Sequence, residues 1–302
     1  MKRSTRIAVV ASATVAAAVA FSVPASAQAL TCGQTVTKNV KLTEDLDCSA
    51  GGTNGLEVGK FGITIDLNGH SIIGAGGADG FEGIESVGRN QVTIRNGSIK
   101  FFQDDIFLQN TSNHLVEDVH LLTDNAGNYD GIHSTYGTGN TFRHNWVQNA
   151  KHGIFLANGS GNVVERNKLR YPTEGVHTEY ESSDKIRRND TKGLSVSTYG
   201  FYSDHDYATK FRDNVSEKGY IGTFLTAPTG VVINGAEATA NGKAGIWIEA
   251  NAPETGHWAK VVNSTTSDND EYGMYAEFGV PSSDNTSVNN GYYNCYLVRC
   301  NG

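Results

Sequence analysis

The sequence predicts an all-β chain wound as a single-stranded parallel β-helix, about ten coils of roughly 22 residues each, and two observations carry that expectation. The first is a short phrase, a glycine or aspartate followed by an apolar residue. It recurs as Gly83-Ile84-Glu85, Asp105-Ile106-Phe107-Leu108, Gly131-Ile132-His133, Gly153-Ile154-Phe155-Leu156, Gly175-Val176-His177 and Gly200-Phe201-Tyr202. It blurs near Gly222 and returns as Gly245-Ile246-Trp247-Ile248 and Gly273-Met274-Tyr275-Ala276; the steps between first residues are 22, 26, 22, 22, 25, 22, 23 and 28. The second is another phrase about ten residues on in each repeat, as in Thr141-Phe142-Arg143-His144-Asn145 and Val163-Val164-Glu165-Arg166-Asn167. Each repeat therefore holds at least two short strands parted by Gly, Asn, Asp and Ser, and no three-and-four spacing runs long enough for a helix. Such a unit buries its apolar face by stacking on its neighbours.

From the amino terminus, Lys2, Arg3 and Arg6 precede an apolar run from Ile7 to Val23, then Pro24 and the small-residue site Ala25-Ser26-Ala27. That order predicts a secretory signal peptide over 1–27 and an extracellular protein. A transmembrane anchor would need a longer run. The β-helix domain is then 28–302, with 28–62 and 280–302 as its amino- and carboxyl-terminal caps. Losing the leader removes three positive charges from a chain whose net charge is already −8. No basic patch remains for nucleic acid, and no later segment suits a membrane. The acidic surplus disfavours polyanions unless a divalent ion bridges them, so the expected partner is a neutral or calcium-bridged polysaccharide, bound by a monomer. No cofactor motif appears; calcium is the one ion this charge invites.

Export permits disulfides, and four cysteines allow three pairings. The local pairing, Cys32 with Cys48 and Cys295 with Cys300, would staple the open ends of the stack. A metal site is the alternative, but no pair has CxxC spacing. Within the stack, Asn145, Asn167, Asn189 and Asn214 share a register, with Asp118 before them and Asn234 and Asn263 after. Asn suits a left-handed bend, and its amide can bond the next copy.

The opening Cys32-Gly33-Gln34-Thr35, then Leu42-Thr43, Asp47-Cys48 and Ile63-Thr64-Ile65-Asp66-Leu67-Asn68-Gly69-His70, resembles the first coils of bacterial right-handed parallel β-helix repeat proteins. These belong to the pectate-lyase-like superfamily, and the likeness extends over nearly the whole mature chain. It implies a right-handed coil. The superfamily holds polysaccharide lyases, hydrolases, epimerases, periplasmic accessory proteins and adhesins, so fold alone does not choose a function. Pectate lyases use an arginine base and acidic calcium ligands, and no arginine lies in the groove columns described next.

With Ile132, Ile154 and Val176 inward, the following residues point out. That column reads Phe107, His133, Phe155, His177, Tyr202, Trp247 and Tyr275, and two positions on lie Glu179, Asp204, Glu249 and Glu277. The residues before each repeat add Asp104, Asp130, His152, Glu174 and Tyr199. Aromatic rings beside acids suit a glycan lying along the rod, although cross-strand aromatic pairs also stabilise a sheet by about 0.2–1 kcal/mol each. Phe107, Asp130, Phe155, Trp247, Glu249 and Tyr275 are the expected substrate contacts. The Arg143, Glu165, Arg187 and Arg212 column of the second strand reads as a solvated, compensating surface.

Two chemistries fit the groove. Lyase or epimerase action on a uronate needs a base, for which His133, His177 and Tyr202 are candidates. Hydrolysis needs two carboxyls in different roles, and Glu179 with Asp204, one coil apart at about 5 Å, would serve. Asp130, His152 and Glu174 stack as a candidate cation site, though charge pairing also explains the stack. His133 and His177 stand two coils apart, about 9.6 Å, too far for one ion. No serine triad, phosphate loop or dinucleotide motif appears. The expected protein is a secreted polysaccharide lyase or epimerase centred on His177, Glu179, Tyr202 and Asp204, with a non-catalytic glycan-binding rod and a hydrolase as alternatives.

Overall fold

Ile132 lies opposite Ile154, and Ile154 opposite Val176, so the 22-residue sequence step is one turn of a solenoid in the computed structural model. The structure describes residues 29–76, 80–124, 129–194, 197–250 and 258–301. The leader expected over 1–27 lies outside them. Each coil lays one strand in a first sheet, then closes through shorter strands on two further walls, such as Thr141–Arg143 and Trp146–Gln148. The first sheet has 12 parallel strands in chain order, from Gln34–Val36 and Leu56–Val58 at one end to Tyr272–Ala276 and Tyr293–Tyr296 at the other. No helix occurs among the described residues.

The blurred repeat near Gly222 is an ordinary coil. Strand Ile221–Thr226 pairs in register with Tyr199–Asp204 below and Ala244–Glu249 above. The phrase fades there because Thr223 occupies the core position that Ile, Val or Phe takes in its neighbours.

Alternation places one apolar column per wall in the interior: Ile106, Ile132, Ile154 and Val176 on the first sheet, Val116, Phe142, Val164 and Ile186 on the second wall. Higher in the rod the third wall turns small and polar at Thr191 and Ser216, and the first sheet answers with the larger Phe201, which meets Phe211 edge-on. The glycine near the start of most first-sheet strands is dictated by space. A Cβ on Gly153 would sit 2.6 Å from the Gly175 carbonyl oxygen and 2.7 Å from Leu169.

The asparagine column is an amide ladder inside a corner of the coil. Asn145 Nδ2 donates to Asn167 Oδ1 (3.1 Å), Asn167 to Asn189 (3.0 Å) and Asn189 to Asn214 (3.1 Å). The left-handed bend belongs to the residue before each rung: His144, Arg166, Arg188 and Asp213 have φ of 52 to 56°. This corrects the expected column. Asp118 and Asn263 occupy bend positions with positive φ, Asn234 precedes the bend, and the ladder continues through Ser264 and Asn285. Buried amides need partners, which the next rung supplies; the bend residue faces solvent and needs none.

Disulfides join Cys32 to Cys48 and Cys295 to Cys300, with Cα separations of 5.7 and 6.3 Å, and no cysteine is free among the described residues. Paired cysteines belong with an extracytoplasmic setting.

Candidate functional site

Where each chain segment enters the first sheet, side chains stack from coil to coil as Glu82, Asp104, Asp130, His152 and Glu174. Sequence alternation placed this column on the surface, with Asp130 touching substrate. The structure buries it: Asp104, Asp130 and His152 are 4, 5 and 6% exposed. The reason is local. The entry residue sits in the corner ahead of the crowded glycine position, and the imidazoles of the outward column fold back over it. His133 Nδ1 lies 2.9 Å from Asp104 Oδ2 and 3.4 Å from Asp130 Oδ2. His177 Nδ1 lies 2.7 Å from Glu174 Oε2. His152 joins the two groups, Nδ1 at 2.8 Å from Asp130 and Nε2 at 3.3 Å from Glu174.

Burial and neighbouring charge set the protonation. Burial, then the Asp104 charge, push Glu82 up to about 8. Burial likewise raises Asp104, against the opposing pull of His133. Burial works against a charged His152, but Asp130 and then Glu174 outweigh it and raise the imidazole to about 9. Glu174 is held down at about 2 because His152 and His177 overcome the cost of its burial.

Two groups converge enough to share an ion, Asp104–Asp130–His133 and His152–Glu174–His177, with donor atoms within 4.8 Å of one another in each. They replace the expected straight column of Asp130, His152 and Glu174, because each draws a histidine from the outward column. They differ in bonding. His133 makes a true hydrogen bond with Asp104. In the other group the contacts are short but misaligned, and His152 Nδ1, Glu174 Oε2 and both His177 nitrogens are buried without a hydrogen-bond partner.

The outward column runs unbroken through Phe107, His133, Phe155, His177, Tyr202, Phe224, Trp247, Tyr275 and Tyr296. Phe224 was hidden by the blurred repeat. Ring orientation divides this stripe. Phe107 meets His133 at 81°, His133 meets Phe155 at 58° and Phe155 meets His177 at 46°. From His177 upward the rings lie nearly parallel: 21° to Tyr202, 16° from Tyr202 to Phe224, 23° from Trp247 to Tyr275 and 9° from Tyr275 to Tyr296. Stacked rings spend their faces on each other, and tilted rings leave face area for a ligand.

Trp247 illustrates the closed half. Tyr275 covers one side at 4.0 Å between centroids, Lys243 Nζ lies 3.7 Å from the ring centre, and Nε1 donates to Glu249. The expected contacts Trp247, Glu249 and Tyr275 are thus engaged with one another. Glu179 and Asp204 do pair on adjacent strands. Asp204, however, accepts from Thr226 and contacts His205 at 2.7 Å. Just past the ends of these two strands lies a cluster that the sequence pattern did not assemble. Glu181, Asp184 and Asp206 are 1, 0 and 0% exposed, with Thr178 and Ser203 donating to Asp206. Its signal was available: Asp184 stands where the coils beneath carry Asn140 and Asn162.

Two family descriptions match the sequence. "Right handed beta helix region" covers residues 29–191, and "Periplasmic copper-binding protein (NosD)" covers 121–301. This chain belongs to the right-handed β-helix and NosD families. No curated protein matches it. Among solved structures, this β-helix protein is similar to a mutant of the periplasmic alginate epimerase (TM-score 0.56, 12% identity, 86% of this chain and 75% of that one). It is similar also to the catalytic domain of a GH87 α-1,3-glucanase with nigerose (0.54, 13%), covering 87% of this chain but only 60% of the glucanase chain. A third is the DFA-IIIase of Arthrobacter chlorophenolicus (0.52, 11%, 82% and 69%). At these identities the likeness is one of fold.

Proposed function

We propose that this NosD-family β-helix is a secreted protein acting on a polysaccharide, as a lyase or epimerase of a calcium-bridged uronate chain ahead of a hydrolase of a neutral one. The chemistry sits at His133. The observation that carries this is the imidazole held by Asp104 at 2.9 Å and flanked by the tilted rings of Phe107 and Phe155 at 5.2 and 5.0 Å. A carboxylate on Nδ1 fixes the tautomer and steadies the imidazolium, leaving Nε2 to take a proton from the sugar carbon beside a carboxylate. A quarter of the His133 side chain is exposed, against 12% for His177, whose two nitrogens are buried. The centre therefore moves from His177 and Tyr202 to His133. The similar alginate epimerase and glucanase folds support a glycan along this face, and the engagement of Asp204 disfavours the Glu179–Asp204 hydrolytic pair.

Incubation with a panel of polysaccharides, with calcium and with chelator, tests this by following reducing ends, unsaturated uronate absorbance and C5 configuration together. Product from the native protein, lost in His133→Ala, supports the assignment. Product unchanged by His133→Ala removes it, and retention on a polysaccharide without product identifies a binding rod instead.

A second reading follows from the copper-binding description of the NosD family. The buried entry column holds two groups of imidazole and carboxylate donors, and copper(II) accepts donors of both kinds. A bound ion there would supply Lewis acidity to a neighbouring oxygen or be carried as cargo.

A further inference from the structure

We propose that His152, Glu174 and His177 form the seat of one divalent transition-metal ion of the borderline class that zinc(II) and copper(II) represent, in preference to calcium. The inference deepens the metal reading above, on which it rests, and is independent of the glycan reading.

Three observations carry it. The donor atoms converge within 4.8 Å, drawn from two adjacent strands, His152–Ala157 and Glu174–Glu179. Metal–ligand bonds of about 2.0–2.2 Å bring ligand atoms to within about 3–3.6 Å of one another in a tetrahedral shell, close to the separations already present. The side chains are also committed to this point without hydrogen bonds to hold them there. His152 is 6% exposed, and the buried Glu174 Oε2 and both nitrogens of His177 lack a partner of hydrogen-bond geometry. Buried polar atoms of this kind are rare and call for a ligand. Finally, a carboxylate stands behind the first imidazole: Asp130 Oδ1 lies 2.8 Å from His152 Nδ1, as a charge contact without hydrogen-bond alignment, and Nε2 is left toward Glu174.

The neighbouring Asp104–Asp130–His133 group serves as an internal contrast. It offers one imidazole and two carboxylates, and its His133 nitrogen is satisfied by Asp104. Two imidazoles and one carboxylate select a borderline ion, whereas calcium takes six to eight oxygens.

The test uses the whole protein, stripped of metal and dialysed separately against zinc, copper(II) and calcium, with bound metal per chain measured by mass spectrometry. The variants are His177→Phe, Glu174→Gln and, for contrast, Asp104→Asn. His177→Phe keeps a ring in the stripe, where Phe155 already stands one coil below, so the fold is retained. Expected are one equivalent of zinc or copper and no calcium. Affinity falls about 100-fold or more in the first two variants and stays unchanged in Asp104→Asn. The copper(II) resonance spectrum should show coupling to two imidazole nitrogens. Retention undiminished in both ligand variants would place the ion elsewhere and overturn the seat while leaving the metal reading standing. No retention of either ion would end both, and preferential calcium binding would overturn the donor argument.

Discussion

His133 Nδ1 lies 2.9 Å from Asp104 Oδ2, although 29 residues separate the two in the chain. One coil of offset makes them neighbours, and the Asp104 side chain, 6% exposed, lets the imidazole rotate little. If His133 is the acid–base group, His133→Ala should lower turnover by about 10²–10⁴-fold. Asp104→Asn should also lower it and displace the pH–rate profile, because an amide no longer fixes the tautomer or steadies the imidazolium. Both should leave circular dichroism unaltered. An unmoved pH profile in Asp104→Asn would reduce Asp104 to packing.

The amide ladder predicts a position-specific stability loss. Asn167 Oδ1 accepts from Asn145, while its Nδ2 donates to the Phe142 carbonyl at 3.0 Å and to Asn189. Asn167→Ala orphans several buried groups at once and should cost about 2–4 kcal/mol. The half-exposed Lys192–Glu217 pair, 3.2 Å apart, should cost no more than about 0.5 kcal/mol when Lys192 is replaced by Ala. Denaturant midpoints of the two variants measure the contrast.

Much of the fold was legible because a solenoid repeats its constraints. The glycine at most entries, the inward Ile column and the ladder from Asn145 to Asn214 each recur at one register, so a single coil read correctly predicts the next. The site was legible only in part. Alternation placed His133 and Phe155 on one face, but it carries no information about ring tilt, which separates Phe107–His177 from the stacked Trp247 and Tyr275. Nor could it tell that Asp130 and His152 turn inward at the corner, since strand periodicity does not extend to a bend.

Acid should stabilise this protein through the corner of Glu181, Asp184 and Asp206. Burial raises Asp206 to about 6, against hydrogen bonds from Thr178 and Ser203. Glu181 and Asp184 are raised by burial as well, Asp184 further by the Glu181 charge. A folded-state pKa above the unfolded value means that the native state binds the extra proton. That contribution is complete below about pH 4 and is lost as pH rises through about 6 for Asp206, and higher for its partners. His152, raised to about 9, acts in the same direction above about pH 6.5, while Glu174 opposes them only below about pH 4.5 and His114, which burial lowers to about 4, only below about pH 6.5. The melting temperature should therefore decline between about pH 6.5 and 9. Asp184→Asn restores the residue of the coils beneath and keeps the acceptor for the Asn162 amide, so it should flatten the decline. A melting temperature that rises over this range would refute the account.

Asp105 departs from the glycine column, and it predicts a stabilising substitution. It occupies the position held by Gly83, Gly131 and Gly153 in neighbouring coils, is 0% exposed, and has neither carboxyl oxygen in good hydrogen-bond geometry. Burial drives its pKa well above the ordinary carboxylate range. At neutral pH folding must therefore bury its charge or take up a proton, and both oppose folding; the neighbouring charges of Asp104 and Asp124 add to the cost. Asp105→Asn keeps the shape and abolishes the ionisation. The variant should be more stable than the parent by about 1–3 kcal/mol near pH 8, with the gain shrinking toward zero in acid, where the parent carboxyl is already neutral in both states. Asp105→Gly should gain less, because glycine leaves a void and about 0.5–1 kcal/mol of added chain entropy in the unfolded state. Paired denaturation curves at pH 4 and pH 8 decide the matter. A gain that does not depend on pH would assign the effect to packing, and a loss at both would mean that the Asp105 carboxyl contributes to the fold through contacts that its neutral analogue cannot make.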